Sequence, residues 1–190
     1  MNGRALFEKY GCVINLLVSV TKHLPRPVRI FMLRANTYRT GKIGMLMRYL
    51  AVSSLSKRVG KNVAVFPGVF FEYIENLSIG DNVSIHQMCY IDAEGGVEIG
   101  NDVSIAHRST ILSSNHSYHG NDIPIKYQEM VLAKTVIHDN VWIGCGCAIL
   151  AGVEIGVGTV IGANSTVNKS IPKDSVAVGS PARRIKSRTE

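Results

Sequence analysis

Six histidines are spread along the 190 residues, and one stands where a general base is most useful. His116 closes the segment Ser113-Ser114-Asn115-His116, just before a stretch (about 117–136) that breaks the pattern on either side of it. An imidazole titrates near neutral pH, so it can take the proton of a hydroxyl as that oxygen attacks an acyl carbon. His119, inside the same stretch, is the second candidate for the role. His86 and His107 follow aliphatic residues by one and two positions, so both belong on an outer surface. There either lines an acceptor cleft or simply meets solvent. His23 and His138 are weaker candidates.

A base histidine needs a second group to orient its other nitrogen. Asp92 falls one repeat below His116 and a few residues away, where it can orient the imidazole, bind acceptor hydroxyls or stabilise a turn. Glu154 falls one repeat above, and a solvated charge is the simpler reading there. Near the end of the chain, Arg183, Arg184, Lys186 and Arg188 form a cluster suited to phosphate. A plain solvated basic end is the alternative.

These side chains are spaced by a repeat. From Ile137 an aliphatic residue recurs every six positions, as Ile137, Ile143, Ile149, Ile155, Ile161 and Val167. Small or β-branched residues follow four positions later: Val141, Cys147, Val153, Thr159, Ser165, Ile171. The same rhythm appears as Ile79, Ile85, Ile91 and as Ile99, Ile105, Ile111. A period of six is neither helical nor a simple strand alternation. It fits a short strand and a tight turn, three of which close one triangular coil of a left-handed parallel β-helix. Val59, Ile79 and Ile99 are twenty apart, and Ile137 and Ile155 eighteen, so the early coils carry two extra residues. The step from Ile99 to Ile137 is thirty-eight, one coil plus an ejected loop leaving just after His116. About five coils are expected over residues 59–180, with a basic tail (181–190) folding back.

Residues 1–58 lack the six-residue period and show helical spacing interrupted by Pro25 and Pro27, as expected of helices capping the first coil. They hold eleven Lys/Arg and one acid, Glu8, whereas the remaining residues hold ten bases and thirteen acids. The excess of positive charge in a chain of net charge +7 therefore belongs to the N-terminal segment. Such a segment can meet anionic lipid or a phosphorylated substrate; a nucleic-acid partner is not expected. The apolar run Cys12–Val20 is too short to span a bilayer. The four cysteines (12, 89, 145, 147) show neither a disulfide nor a zinc framework, which points to a reducing compartment and a cytoplasmic protein, with the inner membrane face within reach of the basic segment.

The six-residue repeats, Val141-Trp142-Ile143-Gly144, and the block Ile161-Gly162-Ala163-Asn164-Ser165 … Val178-Gly179-Ser180-Pro181-Ala182-Arg183 resemble the hexapeptide-repeat acyltransferases, nearest to their sugar O-acetyltransferase branch. The resemblance covers about residues 59–188. It implies a homotrimer with active sites between neighbouring prisms, acetyl-CoA as co-substrate with no metal, and a sugar acceptor under the extended loop. It places the catalytic histidine at His116 and cofactor contacts at Cys145, Ala163, Asn168, Lys169, Arg183 and Lys186. Met88 stands nearest the position where galactoside acetyltransferases carry an acceptor-touching asparagine, which leaves the sugar open. Three alternatives share the prism: an N-acetyltransferase on an amino-sugar, a γ-carbonic-anhydrase-like metalloenzyme using His86, His116 and His119, and a non-catalytic scaffold.

Overall fold

A computed structural model of the chain describes residues 3–189. Helices α1 (Gly3–Lys22), α2 (Arg26–Ala35) and α3 (Gly41–Leu55) precede a parallel β-helix whose first strand is Arg58–Val59. The aliphatic period dictates the three faces. On the first face, Val59, Ile79, Ile99, Ile137 and Ile155 stand in register, one per coil. Val65, Ile85, Ile105, Ile143 and Ile161 do the same on the second face. Phe71, Ile91, Ile111, Ile149 and Val167 do so on the third. The steps of twenty, thirty-eight and eighteen residues expected from the sequence are the observed registers.

Five full coils are followed by part of a sixth, one more turn than the sequence count. The chain advances only sixteen residues from Ile155 to its bridge partner Ile171, so Ile171 takes the inward aliphatic place and not the small position four later. Strand Ser175–Gly179 then extends the second face. The tail does fold back: Ala182–Ser187 pairs antiparallel with Ser175–Gly179 and covers that edge.

The core is a stack of isoleucines with almost no exposure, filled between by Val63, Val83, Val103, Val141 and Thr159 at one corner and Val69, Cys89, Ser109, Cys147 and Ser165 at another. Each buried isoleucine stabilises the fold by roughly 1.5–3 kcal/mol. The buried hydroxyls are satisfied by backbone, as where Ser109 donates to the Gly144 carbonyl at 3.0 Å and Thr159 to the Pro172 carbonyl at 3.0 Å. The tight corners carry positive φ at Asn82, Asp102, Asn140 and Asn164, where a short polar side chain tolerates the left-handed region.

Helix α3 closes the bottom of the stack. Tyr49, Leu50, Val52 and Leu55 join the core, and Arg48 is buried beside them. Among the described residues the Arg48 guanidinium meets no carboxylate; it donates to the carbonyls of Val65 (2.8 Å), Asn36 (2.6 Å) and Arg39 (2.7 Å). Two of these carbonyls lie at and just past the end of α2, where the helix dipole favours a cation. One side chain therefore ties α2, α3 and the first coil together.

Candidate active site

Three corners join the faces. The third, leading from the third face back to the first, carries the ejected segment. Strand Ser114–His116 leaves the prism here and pairs antiparallel with Met130–Leu132, placing His116 opposite Met130. The segment is thus a hairpin-like arm spanning 114–132, shifted toward the N-terminus from the expected 117–136, because its first strand begins before the pattern visibly breaks. Between its strands, Tyr118 stacks on His119 at 5.2 Å, and Ile123, Ile125 and Tyr127 are exposed. His116 is exposed at the root of this arm.

Asp92 holds that root. It is buried on the third face, and its carboxylate accepts from the Ser114 hydroxyl (2.5 Å) and the Glu94 N–H (3.0 Å). Its carbonyl accepts from Ser113 at 2.8 Å. Among the described residues it makes no hydrogen bond to His116; it acts on the strand carrying that residue, two positions away. Glu154 does not serve His116 either: its carboxylate meets His138 Nε2 at 2.6 Å on the first face.

The second corner, between the second and third faces, changes character along the stack. In the lower coils it presents Phe66, His86 and Met88, with His86 stacked flat on Phe66 at 4.6 Å. Burial, and then the neighbouring His107, push the His86 imidazole below its ordinary pKa. Met88 is 56% exposed in the left-handed region. In the upper coils the same corner presents Ala106, Cys145, Gly162 and Ala163 over a buried Gly144, a smooth shelf along which an extended amide chain can lie. Cys145 and Ala163 occupy consecutive levels, joined by the Asn164 N–H to the Cys145 carbonyl at 2.8 Å. At Gly144 a Cβ would stand 2.6 Å from the Ala163 nitrogen, so close stacking itself requires glycine there. Gly144 and Ala106 were not among the expected site residues, although their signal lies in the small residues that follow each inward isoleucine.

The other expected cofactor residues lie elsewhere. Asn168 and Lys169 follow strand Thr166–Val167 and belong to the third corner. Arg183 Nη1 approaches Asn168 Oδ1 at 3.4 Å, and Lys186 is exposed on the returning strand. Within one chain the third face therefore separates Cys145 and Ala163 from Asn168 and Lys169, whereas Arg183 pairs with Val178 on the strand that extends the second face. His86, His116 and His119 form no metal-binding group among the described residues.

A three-sided parallel β-helix with a protruding arm, a small-residue shelf and a basic returning strand is the architecture of hexapeptide-repeat transferases. The family model for bacterial transferase hexapeptide (six repeats) matches residues 134–169. A putative acetyltransferase of Schizosaccharomyces pombe is 58% identical over 50 residues, 26% of this chain and 24% of that protein. The match thus spans about a quarter of that relative's length. Among solved structures, a galactoside acetyltransferase in complex with coenzyme A is 31% identical with a TM-score of 0.76, covering 85% of this chain and 80% of that one. A hexapeptide-repeat acetyltransferase of Vibrio cholerae complexed with acetyl coenzyme A is 28% identical (TM-score 0.75; 84% and 85% covered). An N-acyltransferase from Bacillus cereus, in complex with dTDP and 3-hydroxybutyryl-CoA, is 26% identical (TM-score 0.58; 69% and 82% covered). The chain belongs to the hexapeptide-repeat transferase family, and its nearer likeness is to the sugar O-acetyltransferases.

Proposed function

We propose that the protein transfers an acetyl group from acetyl-CoA directly to a hydroxyl of a sugar or saccharide precursor in the cytoplasm, with His116 as general base. The observation that carries this reading is the position of His116 at the root of the arm, on a strand fixed to the prism through Ser114 and Asp92. His116 takes the proton of the acceptor hydroxyl as its oxygen bonds to the thioester carbonyl carbon. The tetrahedral intermediate collapses with loss of the C–S bond, and the imidazolium returns the proton to the departing sulfur. An acetate ester and free coenzyme A result. Cys145 and Cys147 need form no acyl-enzyme; burial raises the Cys147 thiol pKa, which disfavours a nucleophilic thiolate.

The shelf of Cys145, Gly162 and Ala163 suits the pantetheine arm, and Arg183 and Lys186, with Asn168 and Lys169, suit the phosphates. Asn168 and Lys169 lie at a different corner from the shelf, which supports a homotrimer whose neighbouring prisms each lend one corner to a shared cleft. In that assembly His86, Met88 and His119 line the acceptor side. The test is release of free thiol from acetyl-CoA across a panel of sugars. Acceptor-dependent release with an alkali-labile product supports the reading; no release with any sugar and no acetyl-CoA binding by calorimetry would sink it.

The likeness to an N-acyltransferase favours one second reading, transfer to an amino-sugar. An alkali-stable amide product would establish that reading in place of the ester.

A further inference from the structure

Helix α1 has two apolar faces, and the chain uses one of them. Phe7, Ile14 and Val18 pack against the core. Val13, Leu16, Leu17 and Val20, spaced three and four apart, form a second stripe facing outward, with Leu16 64% exposed. Leu24 continues the stripe beyond the helix, and the outer face of α2 adds Val28 and Phe31, the latter 71% exposed. At 100° per residue, Asn15, Ser19 and Lys22 take up the remaining arc of α1. Between α1 and α3 runs an apolar groove of about 320 Å³, and Val13 and Leu17 belong to both groove and stripe. Exposed apolar surface of this continuity marks an interaction site.

The surroundings specify what covers it. Residues 1–58 carry eleven cationic side chains against one acid, and Lys9, Lys22, Arg34, Arg39 and Lys42 are all exposed, Lys42 on the wall of the groove. Among the described residues no helix is long and apolar enough to cross a membrane. Lys9 stands at the N-terminal end of the stripe and Lys42 beside it across the groove, and an apolar stripe bounded by cations in this way lies in the plane of a bilayer surface, with its apolar side among the acyl chains. We propose that α1 docks the protein onto an anionic lipid surface, with Val13, Leu16 and Val20 inserted and Lys9 and Lys42 on the headgroups.

The test is flotation of the full chain with mixed phosphatidylcholine–phosphatidylglycerol vesicles and with pure phosphatidylcholine vesicles. The chain should float with the anionic vesicles, less so as salt rises, and remain below with the neutral ones. Leu16→Ser with Val20→Ser should lower the partition coefficient by about tenfold or more. Lys9→Glu with Lys42→Glu should do the same at low salt. Both pairs lie on the surface, so unchanged thermal unfolding is expected and serves as the check on folding. Absence of flotation, equal recovery on both vesicles, or wild-type binding by the Leu16/Val20 variant would overturn the proposal. So would a change in assembly mass by sedimentation with flotation unaltered, since a second copy of the chain would then cover the stripe. No readout depends on acetyl transfer, so the proposal stands or falls separately from the reaction.

Discussion

The Ser114 hydroxyl donates to the buried carboxylate of Asp92, joining the first strand of the arm to the coil below it. His116 lies two residues further along that strand. The pair thus sets where the imidazole emerges without touching it. Ser114→Ala should lower kcat by about tenfold through misplacement of His116. The affinity for acetyl-CoA, measured by calorimetry, should stay within about twofold, because the shelf and tail are untouched.

Burial and three bonds to backbone carbonyls make Arg48 a structural cross-link. Arg48→Met leaves three carbonyls without their donor and should cost about 2–4 kcal/mol in urea unfolding. Arg26, whose ion pair with Glu75 is half exposed on both sides, is the contrast. Arg26→Ala should cost less than about 1 kcal/mol in the same experiment.

His86 gives the stability a pH slope of known sign. Its folded pKa lies below the ordinary value of about 6.5, from burial first and His107 second. As pH falls through that ordinary value, the unfolded chain takes up a proton that the folded chain does not, so stability is lost toward acid and none is lost above it. His86→Gln should flatten the decline in unfolding free energy measured from pH 7 to pH 5.

Burial pushes the Cys89 thiol up to about 11 and encloses it at 1% exposure, whereas Cys12 is exposed on α1. Iodoacetamide at pH 8 should label Cys12 in the native protein and reach Cys89 only after unfolding, as read by peptide mass.

The prism was legible in the sequence because its constraint is local and periodic. Every inward site of the stack needs an aliphatic residue, and Ile99 and Ile137 reveal their pairing through spacing alone. The short step from Ile155 to Ile171 was not legible, since Ile171 fits both the small position of one coil and the aliphatic position of the next. His116 could be singled out because it adjoins a break in the period. The partner of Asp92 could not, because Ser114 and His116 both lie within a few residues of it and only the arm's register decides which is met. The role of Arg48 was hidden for a different reason. Its acceptors are backbone carbonyls, which leave no mark in side-chain patterns.

In the proposed reaction His116 removes the acceptor proton. Steady-state thiol release by His116→Ala, with the best sugar from the panel, tests it most directly. A fall in kcat of about 10²–10⁴-fold is expected, with acetyl-CoA binding by calorimetry and thermal unfolding both unchanged. A variant that retains kcat within a few-fold of wild type would contradict it.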